Sequence, residues 1–211
     1  MTIKNVVVLG KGDLAIRASD WFLNSNQYNL IYVVPDMPEP KWTNSLTDWC
    51  KLNNINFIES GDYKNLPNIN IDLAVSIFYG KIIKQDFIDK CGNIINLHNA
   101  PLPKYRGVRP INWALKNNEI YHGITIHKIH EGIDDGDVLG SLTYPIYPEI
   151  EEVEDVYNKA LQYGFLLFED VISKIDYCLE NAIPQSEINQ EPSYYSNKEN
   201  SLLQERGDFR R

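Results

Sequence analysis

No stretch of this chain approaches the roughly 20 consecutive apolar residues that a membrane-spanning helix needs. Its first residues lack the charged and apolar regions of a secretory leader. Cysteine is scarce: Cys50, Cys91 and Cys178 lie far apart, are odd in number and show no C-x-x-C spacing. That usage excludes a disulfide framework or a cysteine zinc site and is the one expected of a reduced, cytoplasmic protein. Positive charge is also short, 20 Lys and Arg against 29 Asp and Glu, for a net charge of −9. Nucleic acids are bound by neutralising phosphates, so the balance argues against a nucleic-acid partner. What remains is ordinary. The 211 residues are 43% hydrophobic and 23% charged, enough to bury the core of one large domain and too apolar for a disordered chain.

The first hundred residues alternate two patterns. Apolar runs of strand length occupy 5–10 (NVVVLG), 29–34 (NLIYVV), 56–59 (NFIE), 72–78 (DLAVSIF) and 93–98 (NIINLH). Helical periodicity occupies 13–25, where Leu14, Ala18, Trp21 and Phe22 share a face, then 45–54, with Ser45 as N-cap, and 84–91. Strands apolar throughout, separated by helices, predict an α/β doubly wound fold with a mostly parallel sheet covered on both faces. Further on, Pro110 opens a helix over 110–117, and two β-rich segments, 123–129 and 137–147, flank the acidic HEGIDDG. A long C-terminal helix is expected to run unbroken over 151–180, with a polar tail beyond Pro184. The chain shows no internal repeat.

The turn GKGDLA (10–15) matches G-x-G-x-x-A between a strand and a helix, and Asp36 follows the second strand. Such a turn brings backbone amides close to a pyrophosphate, with the acid on a ribose hydroxyl. Asp13 at the helix start argues against this, because its charge repels a phosphate there. A tight packing turn and an anion contact without a nicotinamide both remain open.

The stretch NLHNAPLPKYRG (96–107) follows a strand end. Asn96 and His98, two residues apart, reach the carboxyl edge of the sheet on one face, where ligands of this fold class bind. A carboxamide beside an imidazole suits a reaction that builds negative charge on a carbonyl oxygen. Asp134, Asp135 and Asp137 cluster in the acidic loop, and a carboxylate near His98 would favour its cation. The same residues also read as strand-end caps and a solvated turn. His122, His127 and His130 compete for the imidazole role. His127, inside a strand, is expected to be structural, and the three share no face on which to bind a metal, so none is expected.

The wider string NLHNAPLPKYRGVRPINWAL…HGITIHKIHEGIDDGDVL resembles the folate-dependent formyltransferases, densely from Phe78 to Leu139. Asn-x-His, Leu-Pro, Arg-Gly-x-x-Pro, His-Gly-x-Thr and Asp-x-Gly-Asp match together. The resemblance implies a Rossmann-like formyltransferase fold, with residues 1–182 as the catalytic domain and 183–211 as a polar extension. It implies Asn96, His98 and Asp134 as the catalytic trio and 10-formyltetrahydrofolate as formyl donor, with no metal. Tyr79, Gly80, Lys81, Ile82 and Ile83 are similar to the segment whose backbone recognises the pterin. Lys11, Gly12 and Asp13 resemble the place of the acceptor's phosphate or sugar nucleotide, and Tyr105 and Arg106 are further candidates for substrate contact.

Among relatives, Arg-Gly-x-x-Pro-Ile-x-Trp, with Ile-Pro-Gln at 183–185 and Ser-Tyr-Tyr at 193–195, is most similar to the sugar N-formyltransferases. These act on nucleotide-linked amino sugars, dTDP-linked for example, destined for surface polysaccharides such as lipopolysaccharide O-antigen. Glycinamide ribonucleotide transformylase, a non-transferring folate-binding protein and a deformylating hydrolase are the alternatives. A transfer RNA acceptor fits the acidic chain worst. A homodimer formed through the tail, or a minimal catalytic core, are both left open.

Overall fold

The computed structural model describes residues 3–206, in two compact units: one reaches Leu97 and includes Lys128–Glu131, the other comprises His98–His127 and the chain from Gly132. In the first, β1 (Lys4–Gly10), β2 (Tyr28–Pro35), β3 (Ile71–Ile77) and β4 (Cys91–His98) run parallel in the order β2-β1-β3-β4. Val6 to Leu9 are fully buried, as strands covered on both faces must be. Val7, Leu9, Val34, Ala74, Phe87 and Ile94 share one core. The helices α1 (Gly12–Leu23), α2 (Leu46–Leu52) and α3 (Gln85–Ile88) supply the crossovers. Leu14, Ala15, Ala18 and Phe22 form the buried stripe of α1. Ser45 caps α2 as its sequence predicts, its hydroxyl accepting from the Asp48 N–H at 3.0 Å. Residues 56–59 do not form a ladder strand. Phe57 makes one isolated bridge to Val33, and the turn closed by Gly61 N–H on the Ile58 carbonyl ends the extension.

In the second unit, β6 (Tyr121–Lys128) and β7 (Val138–Pro145) form an antiparallel hairpin, and a two-residue β5 (Arg106–Gly107) pairs in parallel with β8 (Tyr194–Tyr195). Helix α4 (Pro110–Lys116) begins on its proline. Helix α5 (Val153–Ser173) starts with a reciprocal Glu152–Asp155 capping box and buries Val156, Ala160, Leu167, Phe168 and Val171. Gly140 on β7 lets α5 approach, since a Cβ there would sit 3.0 Å from Val171 and 3.2 Å from Leu167. The helical pattern over 151–180 is not one helix. Ser173 donates its hydroxyl to the Asp170 carbonyl, Lys174 leaves helical geometry at φ −132°, ψ 36°, and α6 (Ile175–Glu180) begins again. The architecture is otherwise the one expected, a mostly parallel, helix-flanked sheet with a long C-terminal helix. Among the described residues no helix is long and apolar enough to cross a membrane.

Candidate active site

The strand β4 buries Ile94 and Ile95 at its centre; beyond them Asn96 pairs in register with Ser76 and His98 follows two residues later. His98 is 8% exposed. Its Nε2 stands 2.9 Å from the Tyr105 carbonyl and its Nδ1 3.5 Å from Asp134 Oδ2. Both ring nitrogens therefore face oxygen atoms. The second carboxylate oxygen of Asp134 lies 3.6 Å from His127 Nε2, and the Gly107 N–H donates to Oδ2 at 2.9 Å. Burial alone would raise the Asp134 pKa. The charges of His98 and His127 and the Gly107 N–H outweigh it and hold the carboxyl well below the usual carboxylate range.

Backbone geometry concentrates at this pair. Tyr105 and Asp134, the two partners of His98, both adopt left-handed φ, +60° and +51°. Non-glycine residues held there cost about 1 kcal/mol or more each and cluster at functional sites. Gly107, at φ +91°, is glycine for a further reason: a Cβ would run into the Tyr195 carbonyl of β8.

The other expected contacts sort by unit. Tyr105 is buried, its hydroxyl donating to Glu119 at 2.8 Å. Arg106 directs its guanidinium at Gln185 Oε1. In the first unit, Lys11 Nζ donates to Asp36 Oδ2, and Asp13 accepts from Thr43 and Asn44. Asp36 also crowds Gly80, where a Cβ would come within 3.0 Å of its carboxylate. The turn at Lys11 and the loop at Gly80 therefore meet the same acid. Tyr79 Oη and Lys81 Nζ both donate to the Gly61 carbonyl. Ile82 is exposed and Ile83 buried, while the Ile82 carbonyl accepts from Tyr63 Oη at 3.2 Å.

The sequence offers two participants no part in the site: His127 reads as a structural residue inside a strand, and Gln185 enters only through Ile-Pro-Gln at 183–185. His127 follows the strand alternation of β6, but the register shifts between Ile126 and His127, and bulges of this kind re-aim side chains. Gln185 sits in a polar tail, yet it is 5% exposed. The described residues contain no cluster of three or more His, Cys, Asp or Glu arranged to hold a metal.

An imidazole at a strand end, held against a largely buried carboxylate, is an arrangement suited to acid–base chemistry. Residues 50–172 match the formyl transferase family model, more than half of the chain, and the chain belongs to that family. The methionyl-tRNA formyltransferase of Ehrlichia ruminantium (strain Gardel) is 26% identical over 209 residues, 92% of this chain and 66% of that protein. The chain spans 34% to 66% of the length of the curated methionyl-tRNA formyltransferases first matched. Among solved structures, the sugar 3N-formyl transferase WlaRD, in the presence of dTDP and 5-N-formyl-THF, superposes with a TM-score of 0.76 at 28% identity, over 94% of this chain and 71% of that one. The N-formyltransferase from Helicobacter canadensis, in complex with folinic acid and dTDP-3-aminofucose, gives 0.74 at 27% identity, over 93% and 72%.

Proposed function

We propose that this protein transfers the formyl group of 10-formyltetrahydrofolate to the amine of a nucleotide-linked amino sugar. The observation that carries the reading is the largely buried His98–Asp134 pair, 3.5 Å apart and braced at both ends. The acceptor nitrogen attacks the formyl carbon, and the formyl oxygen takes up negative charge. The Asn96 carboxamide and the His98 cation stabilise that oxygen, one well-aimed donor in a dry site being worth about 3 kcal/mol. Asp134 keeps His98 cationic and receives the amine proton, directly or through water, as the new C–N bond forms. The bond from carbon to the folate nitrogen then breaks, that nitrogen takes a proton, and a formamide and tetrahydrofolate leave. Residues 79–83 are assigned to the pterin and Lys11, Gly12 and Asp13 to the acceptor, with residues 1–182 carrying the chemistry.

The choice of a sugar nucleotide over transfer RNA is supported by two things. The two formyltransferase structures that superpose with TM-scores of 0.76 and 0.74 hold dTDP and dTDP-3-aminofucose, and a net charge of −9 is a poor start for binding a polyanion. An acceptor screen tests it: dTDP-, UDP- and GDP-linked amino sugars, glycinamide ribonucleotide and methionyl-tRNA, each with 10-formyltetrahydrofolate, following tetrahydrofolate formation. Turnover with a nucleotide amino sugar is expected. Turnover confined to glycinamide ribonucleotide or methionyl-tRNA, or formate release with no amine present, overturns the assignment.

A further inference from the structure

Every hydrogen-bonding position of the Gln185 carboxamide is taken. Oε1 accepts from Arg106 Nε at 3.0 Å and from a terminal guanidinium nitrogen at 2.6 Å. Nε2 donates to the carbonyls of Asp134 at 2.9 Å and Gly136 at 2.8 Å. A guanidinium asks for an acceptor and two carbonyls ask for donors, so the position demands a side chain that offers both at once. The segments it joins are the two that hold the His98–Asp134 pair. Arg106 lies between Tyr105, whose carbonyl meets His98, and Gly107, whose N–H meets the Asp134 carboxylate. Asp134 itself sits in the left-handed region at φ +51°, a conformation that persists only where neighbouring groups impose it.

We infer that Gln185 is a positioning residue for formyl transfer: its carboxamide ties residues 105–107 to residues 134–136 and thereby fixes the Asp134 carboxylate against His98. This rests on the proposed function for its catalytic consequence, but not for the geometry. Gln185 touches no reacting atom; it acts through Asp134.

Gln185→Glu separates this role from plain fold stability. The variant is isosteric and keeps an acceptor for Arg106, but it turns a carboxylate oxygen toward two carbonyls and pushes the 134–136 loop away. The expected result is a kcat lowered about tenfold or more, with KM for the donor within about twofold. Amide exchange at Gly107 should quicken about tenfold while that at Trp113 in α4 stays unchanged. A kcat equal to wild type, a loss matched by the unfolded fraction, or unchanged Gly107 exchange overturns the inference. If Gln185→Glu does not fold, Gln185→Asn, which keeps the amide but lacks the reach, carries the same two readouts to the same decision. If the wild type transfers no formyl group to any acceptor, the functional reading has failed, and the Gly107 exchange comparison still decides whether Gln185 holds Asp134.

Discussion

Asp134 gathers two imidazoles and one backbone amide around a single, largely buried carboxylate, so its charge is where function and stability meet. Asp134→Asn isolates that charge, because asparagine is isosteric and tolerates left-handed φ well. Under the proposed chemistry kcat should fall about 10²–10⁴-fold with donor binding largely kept. Stability should fall as well, by about 1.5–3 kcal/mol at neutral pH, the range for hydrogen bonds to charged groups. The sign follows from linkage. A carboxyl held low in the native state contributes fully above its unfolded pKa of about 4, and the contribution is lost as pH falls further. Denaturant unfolding of wild type and variant should therefore differ at pH 7, with the gap starting to close only below about pH 4 and narrowing as pH falls further; a gap independent of pH would contradict it. The residues alone could place His98 at a sheet edge and an acid in a glycine-punctuated loop, but not join them. The resemblance joined them, and the strand pattern marks His127 as a structural residue without naming Asp134 as its partner.

Among the elements, the parallel strands were legible because strands buried on both faces are apolar throughout, and Ser45 was legible because capping is local. The break at Lys174 was not, since the apolar spacing of α5 continues into α6 and the interruption is made by a hydroxyl bonding its own backbone. Strand β6 carries another buried group that alternation could not reveal. His122 is fully buried, with Nε2 2.9 Å from the Asn99 carbonyl and Nδ1 without a partner. Burial, above all, lowers its pKa to about 4. A histidine with a depressed native pKa stabilises fully above its unfolded value of about 6.5, and that contribution drains away as pH falls toward the native one. The hairpin unit should thus lose about 2–3 kcal/mol between pH 7 and pH 4 from this residue. His122→Gln, which retains a donor for Asn99, should flatten that part of the profile. Equal slopes in urea-unfolding series for the two proteins would remove His122 as the cause.

For the whole molecule, the stretch least readable in advance is the tail, because its composition is polar and its partners lie about 90 positions away in sequence. The Ser193 carbonyl accepts from the Arg106 N–H, the Tyr195 carbonyl from the Val108 N–H, and the Ser193 N–H donates to the Pro103 carbonyl. Ser193 Oγ accepts from the Tyr105 N–H. Tyr195 stacks on Trp113 with ring centroids 4.1 Å apart, and Leu203 is fully buried beside Tyr105, Ile111 and Val156. Four backbone-anchored hydrogen bonds at about 1 kcal/mol each, with one buried leucine at about 2 kcal/mol more, amount to a large share of the 5–15 kcal/mol that holds a protein folded. A chain ending at Glu191 should therefore melt about 10 °C or more below the full chain, at about 2–4 °C per kcal/mol for this size. The same truncation removes the partners of Tyr105 and Arg106, whose backbone flanks the His98–Asp134 pair, so whatever remains folded should transfer formyl groups slowly. Scanning calorimetry of the two chains checks the first expectation, and single-turnover kinetics below the shorter chain's melting point checks the second. Melting points within about 3 °C of each other would mean that the tail lies on the second unit without supporting it.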